Sequence, residues 1–403
     1  MWRLRMKVLM VSNIYTHPHN MGNRQRIYRE CCQMKELGWE IDFLYWGEKR
    51  AGNIDEMREF FGEEHFYHVN AVNVAPIYQL KNKVRTLWNK KGISRYIPLY
   101  YNSEELYSDD VEYKVQSLLD KKKYDAIWMQ YLYQSGILRN IEPSVYKIID
   151  THDIFAHRNR IYQKKGRIPE GFYVTRRQEK RALSRSDLTV AIQENEEVYF
   201  RNLLNHSSTQ CITLGDMVEF HKGKVTDNKV FGFIGAENDA NVLGIEWLIK
   251  NVLPIVLEKE PDSRCIIAGG ICDLIKDSPY YKKMGRVGNL QEYYEQISFS
   301  INPIQNGTGL NIKGIEALSY GKPLVSTQVG AKGLLNAESA MIVCKGAEEF
   351  IDAIVLLLKD RERRQSMSQA AERFIYKYNE KNQAILKQIE RMTNEKQGKA
   401  VNI

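Results

Sequence analysis

The chain has 403 residues, 43% hydrophobic and 27% charged, which is ordinary for a globular protein and long enough for two domains with separate cores. No apolar run approaches the roughly 18–20 residues of a membrane span, so the pattern excludes a helical membrane protein. The formal charge of +8 is modest for this length, and no nucleic-acid motif accompanies it, so an anionic partner is admitted and nucleic acid is not expected. The six cysteines contain no C-x-x-C pair and no histidine at zinc-finger spacing, so they read as reduced, mostly buried thiols.

Arg3, Arg5 and Lys7 precede Val8-Leu9-Met10-Val11 in the manner of a signal peptide, but the apolar run is too short and leads straight into polar residues. Lys7–Ser12 is instead expected to be the first buried parallel strand, and the expected location is the cytoplasm. A loop then runs from Ser12 to Arg24. Gly22 opens a helix there that Gly38 closes, so Gly22 and Arg24 are candidates for a phosphate or acceptor loop, to which Arg26 could add charge. His17 and His19 lack a carboxylate at ligand spacing, and no metal site is expected. Ile41–Tyr45 follows as a strand. The stretch from Lys49 to Asp110 is irregular and aromatic-rich. Within it, Lys81–Arg95 carries Lys81, Lys83, Arg85, Lys90, Lys91 and Arg95 with no acid, alongside Leu87 and Trp88. Asp109-Asp110 reads as surface charge rather than a metal-binding pair.

Ala126–Met129 and Val145–Asp150 are the next expected strands. Asp150-Thr151-His152-Asp153 therefore sits at a strand C-terminus, where His152 can donate to a hydroxyl and Asp153 can orient its ring. Arg158–Arg185 is the most basic region. It and Lys81–Arg95 fit an anionic membrane surface or a lipid diphosphate as well as a solvated face. Leu188–Ile192 closes the first set of strands. A polar stretch from His206 to Asp227 joins it to a second set that begins at Val230–Gly235. A helix over Asn241–Leu257 and a strand in Cys265–Gly270 come next, and Ala340–Val343 is a further strand. A helix-rich tail runs from Ala347 to about Met392. The alternation argues for α/β architecture with parallel sheets covered by helices.

Between those strands lies the most informative block. Phe299–Ile304 reads as a buried strand. After it come Asn306-Gly307-Thr308-Gly309-Leu310-Asn311-Ile312-Lys313-Gly314-Ile315-Glu316-Ala317 and then Tyr320-Gly321-Lys322-Pro323-Leu324-Val325. A strand, a glycine loop and a helix N-terminus make an anion site, because bare N–H groups and the helix dipole favour phosphate. Glu316 lies too deep in the helix to serve that anion and suits the hydroxyls of a ribose beside it.

This block, with Val287-Gly288-Asn289-Leu290 before it and Gly330-Ala331-Lys332-Gly333-Leu334 after it, resembles the donor site of the family-four retaining glycosyltransferases of GT-B fold. The resemblance implies two Rossmann-like domains facing across a cleft, with the last helix crossing back to the first domain. Residues 1–210 would form the acceptor-side domain, 211–385 the donor domain, and 386–403 the helix end and a frayed tail. It implies a nucleotide-sugar donor bound by Gly307, Thr308, Gly309, Leu310, Lys313, Glu316, Val287 and Gly288, and a catalytic role for His152 with Asp153. The acceptor would be a glycan or a lipid-linked sugar in bacterial cell-surface polysaccharide or glycolipid assembly, peripheral to the membrane. No cofactor and no metal is implied.

The chain departs from the family at two points. The first glutamate of the Glu-x7-Glu motif is Thr308, and the segment Gly235–Asn241 has none of the family's basic residues. Two rivals follow: an inactive GT-B-like subunit that holds nucleotide or glycan, and a nucleotide-sugar epimerase. A nicotinamide dehydrogenase is disfavoured because the first strand–helix turn lacks G-x-G-x-x-G.

Overall fold

The computed structural model describes residues 5–18, 22–49, 53–70, 76–164, 166–169, 171–222, 226–305 and 312–398. They form two compact units. One comprises Met1–Asp216 together with Gln383–Ile403, and the other Met217–Asn382.

In the first unit the order is β1 (Lys7–Ser12), α1 (Gly22–Glu36), β2 (Glu40–Trp46), α2 (Ile54–Phe61), β3 (Phe66–Val69), α3 (Pro76–Lys90) and α4 (Asp109–Lys121). Then come β4 (Ala126–Gln130), β5 (Tyr146–Asp150), α5 (Asn159–Gln163), α6 (Arg176–Leu183), β6 (Leu188–Ala191), α7 (Glu194–Leu203) and β7 (Gln210–Thr213). The strands make a seven-stranded parallel sheet ordered β3-β2-β1-β4-β5-β6-β7. The strand order reverses between β1 and β4, so the loops after them diverge and leave room at the carboxyl edge. Helices cover both faces, which is why β1 and β4 are buried nearly throughout and read as continuous apolar runs.

β3 and β7 are not foreseen by the sequence pattern. Each has four residues, and the apolar signal in Tyr67-His68 or Gln210-Cys211 is weak. Because β7 pairs with β6, the first unit runs to Asp216 rather than stopping at 210.

The second unit contains β8 (Val230–Ile234), α8 (Asp239–Asn251), α9 (Leu253–Lys259), β9 (Arg264–Ala268), β10 (Lys282–Gly285), α10 (Leu290–Gln296) and β11 (Phe299–Asn302). It continues with α11 (Ile312–Ser319), β12 (Leu324–Thr327), β13 (Met341–Cys344), α12 (Ala347–Lys359) and α13 (Arg361–Lys396). Its six parallel strands are ordered β10-β9-β8-β11-β12-β13, with the reversal between β8 and β11. The single helix expected over Asn241–Leu257 is two, bent by 44° at Val252 where Pro254 cannot continue the ladder. Among the described residues no single helix is long and apolar enough to cross a membrane. The apolar side chains of the bent pair, among them Ile245, Leu248, Leu253 and Val256, are buried in this unit's core.

The long α13 belongs to both units, passing from one to the other at Asn382–Gln383. In the first unit its Leu386 and Ile389 are buried, and Lys396 pairs with Asp187 at 2.6 Å.

The carboxyl edge of the second sheet is built tightly. Gly269, after β9, has φ +88°, and a Cβ there would stand 2.4 Å from the Gly235 carbonyl oxygen after β8. Gly269→Ala should therefore destabilise this unit by about 2–4 kcal/mol, from backbone strain plus overlap. Denaturant unfolding measures it, and an unchanged midpoint would mean that the two turns do not meet.

Candidate functional site

At the reversal of the second sheet, a strand precedes and a helix follows the glycine segment read from sequence as a donor site. β11 ends at Asn302 and α11 starts at Ile312. Gly307, Thr308, Gly309 and Leu310 lie outside the described residues. Gly244 of α8 sits against the Pro303 carbonyl, where a Cβ would come within 3.1 Å, so α8 approaches the chain as it leaves β11.

Glu316 is buried on α11, and its Oε1 accepts a hydrogen bond from the Tyr294 hydroxyl of α10 at 2.9 Å. Tyr294 stacks on Tyr320 with centroids 4.3 Å apart, and Tyr320 stacks on His221 at 4.4 Å. Burial, and then the charge of Glu316, push the Tyr294 hydroxyl well above its ordinary value, so it remains a protonated donor. One oxygen of the Glu316 carboxylate is thus fixed by a phenol at the end of a stack of three rings.

Lys313, three residues before Glu316, shares its side of the helix. It is half-buried, with its ammonium 6.0 Å from the Phe233 ring of β8. Burial lowers its pKa, and Glu316 partly offsets that. Val287 is half-buried and Gly288 exposed in the loop from β10 to α10, where Asn289 caps α10 by accepting from Gln291 N–H at 2.9 Å. The turn after β8 has no basic residue of its own, but its Glu237 pairs with Arg286, the neighbour of Val287.

In the first unit the candidate residues gather at the ends of β1, β4 and β5. His152 follows β5 with φ +58°, and Tyr131 follows β4 with φ +68°. Their rings stack at 4.1 Å and 10°. In the first turn of α1, beside Gly22 and Arg24, the Asn23 amide donates to the Tyr131 hydroxyl at 3.3 Å. The first turn of α1 and His152 are therefore joined through Tyr131. Arg24 lies over the Tyr15 ring at 3.9 Å.

Arg26, read from sequence as a further charge for this loop, faces inward. It pairs with Asp150 at 2.8 Å and donates to the Leu214 carbonyl at 3.0 Å, both groups buried. Beside it Gln130 donates to Glu30 at 2.7 Å, and the Gln130 carbonyl faces His152 Nε2. With Gln130 oriented by Glu30, the network assigns the His152 proton to Nε2. Nδ1 makes no hydrogen bond among the described residues. In that tautomer Nε2 donates to Gln130 and Nδ1 is left as an acceptor.

Burial lowers the His152 pKa to about 4, opposed by Asp150, so the ring is neutral. Asp150 is itself held below the usual carboxylate range, because Arg26 and His152 outweigh its burial. Asp153 pairs with Arg158 at 3.2 Å and accepts from its neighbour Ile154 N–H at 2.8 Å. Neither aspartate caps α5, whose N-cap is Arg158.

Gln130, Tyr131 and Tyr294 carry parts of these candidate sites that sequence reading missed. Glu196, buried in the first turn of α7, is raised to about 8 by burial and by Asp153. A polar or aromatic residue directly after a buried strand was the available signal for Gln130 and Tyr131. Tyr294 reads as one more core aromatic.

Glu40, Asp42 and His65 come within ligand distance of one another. Asp42 already accepts from Lys122 at 2.8 Å and from Tyr124, so a lysine holds the position a cation would take. The basic run Arg158–Arg185 is partly spent internally: Arg158 pairs with Asp153, and Arg181 and Arg185 with Glu104.

Two parallel Rossmann-like sheets and a long C-terminal helix define the class: the fold is GT-B. Residues 228–360 match the model of the family described as glycosyl transferases group 1. Over 354 residues the chain is 22% identical to an "uncharacterized 44.6 kDa protein in cps region" of Klebsiella pneumoniae, a span of 81% of this chain and 84% of that one. Among solved structures it is similar to TarM of S. aureus, with TM-score 0.68, 12% identity and 98% and 99% of the two chains covered. It is also similar to the pneumococcal O-GlcNAc transferase GtfA in complex with UDP and GlcNAc, with TM-score 0.65, 10% identity and 98% and 99% covered. The structural likenesses establish the fold. With the family match they support a GT-B glycosyltransferase.

The His152 environment has a signed consequence. Its folded pKa of about 4 lies below the ordinary 6.5, so between those values the unfolded chain binds the extra proton. The resulting stability is complete above 6.5 and is lost as pH falls towards 4, on the order of 3 kcal/mol. In NMR titration the His152 ring signals should move near pH 4. A midpoint at 6.5 would put the ring in solvent.

Proposed function

We propose that the protein transfers a sugar, with retention, from a nucleoside diphosphate to an acceptor hydroxyl during assembly of a cell-surface polysaccharide or glycolipid. The observation that carries this reading is Glu316, a buried carboxylate held by Tyr294 with Lys313 on the same helix side, directly after the sheet reversal. A site of that composition suits a ribose and a diphosphate together. The family match over the same segment and the relative encoded in a cps region support the polysaccharide setting.

In this reading the ribose hydroxyls donate to Glu316. Lys313, the start of α11 and the segment Gly307–Leu310 face the diphosphate, with Val287 and Gly288 lining the nucleotide. In the first unit, Gly22 and Arg24 are the residues assigned to the phosphate or acceptor loop. As the glycosidic bond breaks, negative charge grows on the diphosphate oxygens, and oriented N–H groups with one ammonium stabilise it without a metal. Bound phosphate also keeps Lys313 protonated against the effect of its burial. His152 Nδ1 accepts from a hydroxyl of the transferred sugar and fixes its orientation. Asp153 acts with it by holding Arg158. Retention places the acceptor on the face from which the diphosphate leaves.

Glu316→Ala should weaken nucleoside diphosphate binding by about 1–3 kcal/mol in calorimetry, the loss expected for a charged hydrogen-bond partner. Tyr294→Phe keeps the stacked rings and removes only the hydroxyl, so it should cost about 1 kcal/mol with little change in melting temperature. A folded Glu316→Ala protein with unchanged affinity would take Glu316 out of the site.

Lys313→Ala should hurt the nucleoside diphosphate more than the bare nucleoside. Equal losses would point to a structural role for the lysine. His152→Ala should lower turnover strongly and leave nucleoside diphosphate affinity nearly intact, and a large drop in that affinity would move His152 to the nucleotide.

A further inference from the structure

α3 has its polarity inverted. Its buried side is the polar one: Arg85, 5% exposed, pairs with Glu105 at 2.8 Å and lies 3.4 Å from the Tyr101 ring centroid. Tyr78, Asn82 and Asn89, half-buried, fall within about 60° of Arg85 on the helical wheel. On the opposite side Ile77, Leu80, Val84 and Leu87 are 56%, 59%, 44% and 59% exposed. They occupy an arc of about 80°. A helix of a globular protein normally turns such a stripe to the core. Here folding leaves it in water, so the core does not account for it.

The surroundings indicate what covers the stripe. Lys81, Lys83 and Lys90 border it, Lys91 and Arg95 follow, and there is no Asp or Glu from 76 to 103. The Trp88 indole N–H donates to the Ile97 carbonyl at 2.7 Å and ties the helix to the next segment, where Tyr96 and Ile97 are 83% and 59% exposed. The result is one ordered surface, apolar in the middle and cationic at its borders. Lysine stems can lie along an apolar patch while their ammonium groups reach outward to phosphate. An apolar stripe with a wholly basic border complements an anionic lipid surface in both respects. A protein partner would need its own acidic rim around an apolar groove.

We propose that α3 docks the protein on an anionic lipid bilayer. It lies in the membrane plane with Ile77, Leu80, Val84 and Leu87 at the headgroup–acyl boundary and its flanking lysines on the lipid phosphates. At 15 residues the helix rests on the bilayer and does not cross it. The inference is independent of the transferase reading, since lipid binding needs neither nucleotide nor acceptor.

Flotation of the full chain tests it, with phosphatidylcholine vesicles compared with vesicles containing about one-third phosphatidylglycerol. The protein should float with the anionic vesicles only, and less as salt shortens the screening length below about 8 Å. Leu80→Ser with Leu87→Ser should reduce partition by on the order of tenfold. Lys83→Gln with Lys90→Gln should reduce it about fivefold per lysine at low salt. All four side chains are exposed, and an unchanged thermal midpoint verifies the fold of each variant.

Failure of the unaltered protein to float with anionic vesicles overturns the proposal. So does binding that survives the leucine changes, which would mark a purely ionic surface. A wild-type dimer that the leucine changes split, with no vesicle binding, would assign the stripe to a second copy of the chain instead.

Discussion

The buried pair of Arg26 and Asp150 organises the first unit. It joins the helix after β1 to the end of β5, two elements 124 positions apart, at the place where the sheet order reverses. Two charges in the interior lose hydration, and removing either partner leaves the other unpaired at a cost of about 3–5 kcal/mol. The pair keeps both groups ionised where burial alone would oppose it. Asp150 also accepts the His152 N–H, so the left-handed turn that aims the histidine depends on this carboxylate.

Around that pair the other polar groups take their states by exclusion. Glu30 is raised well above the ordinary carboxylate range, first by burial and then by the charge of Asp150. It orients Gln130, and Gln130 in turn sets the His152 tautomer. The second unit uses a different device. Glu316 is held by a neutral phenol, which fixes a carboxylate oxygen without adding a countercharge. A carboxylate oxygen oriented in that way is an acceptor of fixed direction, which suits a site for hydroxyls.

α3 shows how the packing of one helix can be decided by a single residue. Arg85 finds a carboxylate and an aromatic ring beneath it, and that inward anchor turns the apolar stripe outward. Burying the stripe instead would strip Arg85 and Glu105 of each other. Breaking that buried pair would cost about 3–5 kcal/mol, comparable with what burying a few aliphatic side chains would return.

Local pattern alone determined the α/β class, most strand positions, and the strand and helix that flank the glycine segment. A buried parallel strand must be continuously apolar, and a helix that follows it has few ways to begin. The position of Glu316 in that helix, and of His152 directly after a strand, was legible for the same reason. Tertiary structure alone decided what those residues touch. Arg26 looked like a loop cation and is a core ion, and Tyr294, which no local pattern singles out, holds a carboxylate. The edge strands β3 and β10, and β7 at the other end, were too short to carry a period of their own and exist because a neighbour pairs with them. Periodicity records how a residue faces its own helix or strand. Protonation, tautomer and inward or outward packing depend on groups that lie tens to hundreds of positions away.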